Sequence, residues 1–144
     1  MPRILALDPG SKTIGTALSD ETFTLASPGR TILRQPEGYR KDMAAVRDLA
    51  EANEVCEVVV GLPLMMDGSR GEQAIRAEEF AEQLRRFVSV PVVMQDERLT
   101  TAGAARALHE AEMTHSRRKK VVDSVAACLL LQTYLEVRRR PAAP

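Results

Sequence analysis

The sequence predicts an α/β fold: one mixed five-stranded sheet, an antiparallel meander plus parallel strands, with helices on both faces. Three observations predict it. Short apolar runs broken by turn residues open the chain: residues 4–8, residues 14–19, and a third run beginning at Phe23. Two later runs, Val58 to Leu62 and Val90 to Met94, are nearly continuous and β-branched, the pattern of strands buried on both faces in a parallel sheet. Between and after them apolar residues recur at helical spacing.

The elements follow in order. Ile4-Leu5-Ala6-Leu7-Asp8 is a strand, Pro9-Gly10 a turn, and Ile14 to Ser19 a second strand. Asp20-Glu21-Thr22 turns again into a third strand, Phe23 to Ala26. Ser27-Pro28-Gly29-Arg30 interrupts it and Thr31 to Leu33 continues it. Met43, Val46, Leu49 and Ala50 give a helix over Tyr39 to Asn53. Pro63 ends the Val58 strand. Residues 64–71 form a loop with Asp67-Gly68 and Arg70-Gly71 as turn signals. Glu72 to Phe87 is a helix with Ile75, Phe80, Leu84 and Phe87 inward. A short Ala-rich helix, Thr101 to Ala111, follows the last strand. A loop over Met113 to Ser116 leads to a long helix from Arg117 to about Arg139, with Ser116 as its N-cap. The meander followed by right-handed crossovers gives one sheet covered by helices. A single domain over residues 1–138 and a tail over 139–144 are expected.

Composition narrows the function. At 144 residues the chain needs no disulfide or metal staple. Aromatics are 3% and Trp is absent, so indiscriminate stacking on single-stranded bases is limited. Cys56 and Cys128 lack CxxC spacing, which argues against zinc and redox chemistry, and both read as small buried hydrophobes. No run reaches the length of a membrane span, and the chain starts on a strand without a signal-like segment. A cytoplasmic protein that contacts no membrane is expected. Net charge is zero but unevenly spread: from Met113 to Arg140 seven bases face two acids. A local positive field suits a polyanion; a solubilising surface is the alternative.

Three acids stand where this architecture brings chain segments together. Ligands of such sheets gather at the carboxyl ends of the central strands. Asp8 ends the first strand, Glu97 the last, and Asp123 interrupts a run of Val and Ala in the long helix. Singly, each has an ordinary reading: Asp8 as a turn cap, Glu97 paired with Arg98 or Lys120, Asp123 as a surface acid beside Lys119 and Lys120. Together they form an oxygen-only set that suits a hard cation, Mg²⁺ or Mn²⁺. Two such ions can activate water and stabilise the leaving oxygen of a phosphodiester. Asp96 and Glu97 point to opposite faces in extended chain, so Glu97 serves the site and Asp96 caps the next helix or orients a neighbour. Around the 64–71 loop, Gly61 in the strand before it and Gly68 and Gly71 within it permit close approach to a phosphate, or mark an ordinary crossover; no Gly-Lys-Ser/Thr occurs.

The blocks Leu5-Ala6-Leu7-Asp8-Pro9-Gly10-Ser11-Lys12-Thr13-Ile14-Gly15, Val60-Gly61-Leu62-Pro63 with Asp67-Gly68-Ser69, Asp96-Glu97-Arg98-Leu99-Thr100-Thr101, and Asp123-Ser124-Val125-Ala126-Ala127 through Leu135 resemble the YqgF/RuvX family in order and spacing. The likeness runs from Ile4 to Leu135, and the Asp-Glu-Arg-Leu-Thr-Thr block is its most specific piece. It implies an RNase H-like domain related to RuvC resolvases, with Mg²⁺ or Mn²⁺ held by Asp8, Glu97 and Asp123. It further implies a cytoplasmic nuclease that processes the 5′ end of the 16S rRNA precursor. Lys12, Arg98, Arg117, Arg118, Lys119 and Lys120 are the candidate nucleic-acid contacts. Thr13 departs from the family pattern, where a basic residue is expected, and so removes one phosphate contact. Compared with RuvC, the second acid has moved to the last strand. A Holliday-junction resolvase is the alternative, and it calls for a homodimer, since a junction is two-fold symmetric. A non-catalytic RNA-binding assembly factor is a further alternative. A phosphate loop of the actin- and Hsp70-like kind needs two such domains around the nucleotide, and this chain supplies one.

Overall fold

The structure, a computed structural model, describes residues 2–36, 38–99 and 115–139, with side chains to 98 in the first part and over 125–138 in the last helix. Its elements are β1 (Arg3–Pro9), β2 (Thr13–Ser19), β3 (Ala26–Pro28), β4 (Ile32–Leu33), α1 (Tyr39–Ala52), β5 (Val55–Leu62), α2 (Glu72–Leu84), β6 (Val92–Asp96), a 3₁₀ turn (Glu97–Leu99) and α3 (His115–Arg139). The strand order is β3-β2-β1-β5-β6, with β4 also paired to β2. β1 pairs antiparallel with β2 and parallel with β5, and β5 pairs parallel with β6. The mixed sheet is as predicted.

Its five positions are built from six strands, because the outer one is broken. β3 and β4 lie along the same edge of β2. The third strand runs over 26–28 rather than Phe23 to Ala26. Phe23 has φ 57°, a turn conformation that no strand tolerates. Gly29 sits against β2 where a Cβ would lie 2.4 Å from the Thr16 hydroxyl, so the break is packed tightly on its neighbour. β5 begins three residues early, at Val55 rather than Val58, and β6 runs later than expected, over Val92–Asp96.

Alternation along the strands divides two cores. Leu5, Leu7, Val58, Val60 and Val92 pack with Met43, Val46 and Ala50 of α1 and Phe80, Ala81 and Leu84 of α2. Ile4, Ala6, Ala17 and Val59 pack with Ala127, Leu130, Leu131 and Leu135 of α3. Small residues on both sides of this second core let α3 lie close to the sheet. Gln132 stitches α3 to the edge, accepting from Ala26 N at 3.0 Å and donating to Thr24 O at 3.1 Å. Among the described residues no helix is long and apolar enough to cross a membrane.

Several local expectations need correction. α2 ends at Leu84, and Ile75 is exposed; Ala74, Ala77 and Ala81 take the inward places with Phe80 and Leu84. Cys56 is exposed rather than buried, because β5 starts before it and its first residues alternate outward. α3 already includes His115 and Ser116, so Ser116 is not its N-cap. The expected helix at 101–111 lies outside the described residues.

Leu131 is fully buried in the α3 core. Leu131→Ala should cost about 2–5 kcal/mol, read as a lower urea midpoint with an unchanged slope. A loss under about 1 kcal/mol would mean that α3 does not seal this face.

Candidate functional site

The two faces fix where each candidate acid points. Asp8 alternates with Ile4 and Ala6, so its side chain is on the α3 face at the carboxyl end of β1. It is 5% exposed. Its partner across β2 is Gly15. On the other side Leu7 pairs with Val60, which brings Gly61 level with Asp8. Gly61 in turn pairs with Gln95 of β6. The row across the sheet is Gly15, Asp8, Gly61, Gln95, with a glycine on each side of the acid.

Glu97 follows the end of β6, in the 3₁₀ turn, and is 9% exposed. Its carboxylate does not stay over its own strand. A Cβ placed on Gly61 would lie 2.5 Å from Glu97 Oε1, so the carboxylate lies over β5, on the side of Asp8. Adjacent strands are about 4.8 Å apart, and the crossing takes the group about that far toward β1. The sequence expectation that Glu97 rather than Asp96 turns to this face agrees with this placement.

Asp96 turns the other way. Its carboxylate accepts from Arg98 Nε at 3.1 Å and Nη2 at 2.8 Å, and from the Arg98 backbone N–H at 2.9 Å. The guanidinium hydrogen bond holds Asp96 below the usual carboxylate range and pushes Arg98 further up. The contribution of the pair is full above the ordinary carboxylate range and is lost as the pH falls through the lowered value.

Arg98 is thereby committed within the protein. Its Nη1 also approaches the Met66 carbonyl at 3.5 Å, and its guanidinium occupies the space beside Gly68, whose φ is +90°. The 64–71 loop is closed by Met65 N–H on Ser69 O, Gly68 N–H on Met65 O and an Asp67 turn capped by Ser69. The open sides of Gly61, Gly68 and Gly71 face Glu97, Arg98 and Met65 in turn. Protein side chains therefore lie in the room that one of the two sequence readings gave to a phosphate.

Asp123 is in α3, three, four and seven positions before the buried Ala126, Ala127 and Leu130. It therefore belongs to the stripe that meets the sheet. α3 runs against the direction of β5. Tyr134, near its end, donates to Glu57 near the start of β5. Burial, then Glu57, pushes Tyr134 up to about 12. The eleven residues back to Asp123 rise about 16 Å, and the four from Glu57 to Gly61 about 13 Å. The helix thus carries position 123 to the level of Asp8 and Gly61. The side chains of Asp123 and of Arg117, Arg118, Lys119 and Lys120 lie outside the described residues. By backbone, those four bases occupy the first turns of α3.

Among the described residues no three His, Cys, Asp or Glu gather into a metal-sized cluster. Asp8 and Glu97 supply oxygen donors from two buried carboxylates on one face, and such donors fit Mg²⁺ or Mn²⁺ rather than zinc.

Sequence reasoning missed two supports. Asp42 of α1 is 3% exposed and accepts from Arg34 Nε at 3.1 Å and Gln35 N–H at 2.9 Å. Arg34 Nη1 donates to Gly10 O at 2.8 Å, tying α1 to the turn that follows Asp8. The other is Gln95, 8% exposed, whose Nε2 has no partner among the described residues. A lone Gln in an apolar strand was the signal for it. Lys12 is exposed on the β1–β2 turn.

The Arg98 pairings make a strut between the 3₁₀ turn and the loop. Arg98→Ala should speed tryptic cleavage after Arg70 in this loop. Unchanged cleavage would show that the strut does not hold the loop.

Comparison with known proteins gives consistent results. The family model described as "RuvX: Holliday junction resolvase" matches residues 2–137. A relative named "Putative pre-16S rRNA nuclease" from Kineococcus radiotolerans is 45% identical over 141 residues, 97% of this chain and 74% of its own. One of the same name from Caldanaerobacter subterraneus is 44% identical over 138 residues, covering 95% and 98%. Another from Myxococcus xanthus is 43% identical over 139 residues, covering 96% and 91%. Among solved structures, T. thermophilus RuvC with a Holliday junction substrate aligns at TM-score 0.59 and 16% identity over 96% of each chain. Fowlpox virus resolvase with Holliday junction DNA aligns at 0.55 and 15%, over 96% of this chain and 99% of its own. At such identity the likeness is one of fold, RNase H-like.

Proposed function

The chain belongs to the RuvX family, and on that premise we propose that it is a metal-dependent nuclease that hydrolyses phosphodiester bonds at the α3 face of its sheet. The observation that carries this reading is the pair of buried carboxylates there, with Glu97 laid across β5 on the side of Asp8. Asp8, Glu97 and Asp123 hold Mg²⁺ or Mn²⁺ in this proposal. Bound there, two such ions supply an activated water and stabilise the leaving oxygen. The protein's own part is to fix the carboxylates on rigid elements, with α3 excluding water from one side.

The names of its relatives point to pre-16S rRNA as substrate; in this proposal the cut falls at its 5′ end, in the cytoplasm, with one domain carrying the activity. The description of the family model favours a second substrate, the Holliday junction, and with it a homodimer. Cleavage of precursor RNA and junction DNA side by side, with Mg²⁺ or Mn²⁺, separates the two. Lys12 and the basic start of α3 are the phosphate contacts; Arg98 serves as the strut. A purely RNA-binding assembly factor would keep those contacts yet show no cleavage for Asp8 variants to lose.

Asp8→Asn, Glu97→Gln and Asp123→Asn should each lower cleavage at least about a hundredfold, the scale of one lost electrostatic partner in a reaction centre. The triple variant should be little worse than the worst single. Free metal a hundredfold above Kd should add about 2.7 kcal/mol of stability, seen as a rise in Tm on the order of 5 °C or more. Parent-level cleavage by any of the three, or a Tm response to zinc alone, would sink the assignment.

Arg117 to Lys120 precede Asp123 by three to six residues, so they lie within two helical turns of it. Such contacts give affinity without sequence preference. For Arg118→Ala with Lys119→Ala, the plot of log affinity against log salt should flatten by roughly 0.7 per lost contact on single strands, or roughly 0.9 on B-form duplex. A wild-type slope on a cleaved substrate would remove this face from the binding path.

A further inference from the structure

We infer that Gly61 is a positioning residue for Glu97: its missing side chain is the seat of the Glu97 carboxylate, and that seat sets the metal site. The inference rests on the nuclease reading above and adds a residue to it. Asp8 stands on β1 and Glu97 follows β6, with β5 between them. Any carboxylate reaching from β6 toward β1 must pass over β5 on the α3 face. Gly61 is the β5 residue level with Asp8, paired with Gln95, and the alternation from Val59 turns it to that face.

Nothing else in the strand asks for glycine here. Gly61 is not in the left-handed region; among the described residues the glycines with positive φ are Gly38 and Gly68. Its neighbours Val58, Val59 and Val60 are the residues a buried strand prefers, and a glycine among them weakens the strand. The three atoms nearest a Cβ at this position all belong to one side chain: Glu97 Oε1 at 2.5 Å, Cδ at 3.2 Å and Cγ at 3.3 Å.

The consequence is directional. In Gly61→Ala the backbone conformation is allowed and the opposing atoms are the end of a flexible side chain. The fold therefore survives, and the carboxylate retreats by about 1 Å to reach ordinary van der Waals separation. A ligand displaced that far no longer shares an ion with Asp8 in good geometry.

The test compares wild type, Gly61→Ala, Glu97→Ala and the double variant by metal-free Tm, Mn²⁺ titration calorimetry and a metal-free crystal structure of Gly61→Ala. The expected result is a Gly61→Ala protein with near-parental metal-free Tm and intact β5–β6 pairing, a displaced Glu97 carboxylate, and Mn²⁺ bound at least about tenfold more weakly, the scale seen when groups that orient a ligand are lost. An unmoved carboxylate, or parental Mn²⁺ affinity, overturns the inference. If Gly61→Ala does not fold, the double variant decides: it folds if Glu97 alone fills the seat, and an unfolded double variant overturns it. A wild type that takes up no Mn²⁺ refutes the metal-dependent reading instead, while the position of Glu97 in Gly61→Ala still decides the seat.

Discussion

A carboxylate buried in a close-packed interior must be given partners, and the carboxyl end of this sheet buries two. Asp8 and Glu97 are each more than nine-tenths covered, at a depth where an uncompensated charge costs several kcal/mol. The rest of the local structure follows from bringing such groups to one face. Glycines flank Asp8 across both neighbouring strands, small residues let α3 lie close, and the 3₁₀ turn swings Glu97 back over the sheet. None of this serves packing alone. A core built for stability would put Val at position 61 and an apolar residue at position 8.

The charges nearby are arranged so that they do not blur the site. Asp42 and Arg34 pair away from the α3 face, and a second guanidinium nitrogen, Nη1, donates to the Gly10 carbonyl. A half-buried pair of this kind is a weak source of net stability; what it supplies here is a fixed turn after Asp8. The Arg34 guanidinium also lies 5.6 Å from the Phe80 ring centre, so the Arg34 link to the turn is held from the α2 side as well. One carboxylate-bearing turn is thus fastened to two helices on the opposite face of the sheet.

Much of this was legible in the sequence. β-branched runs gave β5 and β6, the meander gave β1 and β2, and apolar spacing gave α1, α2 and α3. Asp8 and Asp123 stood out because each is an acid inside an apolar stripe. What was not legible depends on contacts between distant residues. Ile75 fits a helical stripe, yet alanines fill the interface and leave it exposed. Cys56 looked buried because the start of β5 was placed too late. The sequence offered Glu97 as an ion-pair partner for Arg98, and it does not show that Asp96, two residues away, takes the guanidinium. Gly61 stood open between room for a phosphate and an ordinary crossover, because only the fold places Glu97 over it.

The compactness of Asp96-Glu97-Arg98 has a mechanical explanation. In extended chain, residues i and i+2 share a face and the residue between them takes the other. The 3₁₀ turn replaces that path from Glu97 onward, and Asp96 and Arg98 close on each other through two guanidinium nitrogens, Nε and Nη2, and the Arg98 backbone N–H. With its neighbours locked together at the sheet's edge, Glu97 has one side left, the α3 face, and Gly61 leaves that side open. The outer two residues aim the middle one and anchor the 64–71 loop with the same guanidinium. Substituting Asp96 would release Arg98, the loop and the turn together, and Glu97 would lose its direction while remaining in the sequence. A carboxylate at position 97 is therefore useful only inside this block, and the block is useful only opposite a glycine.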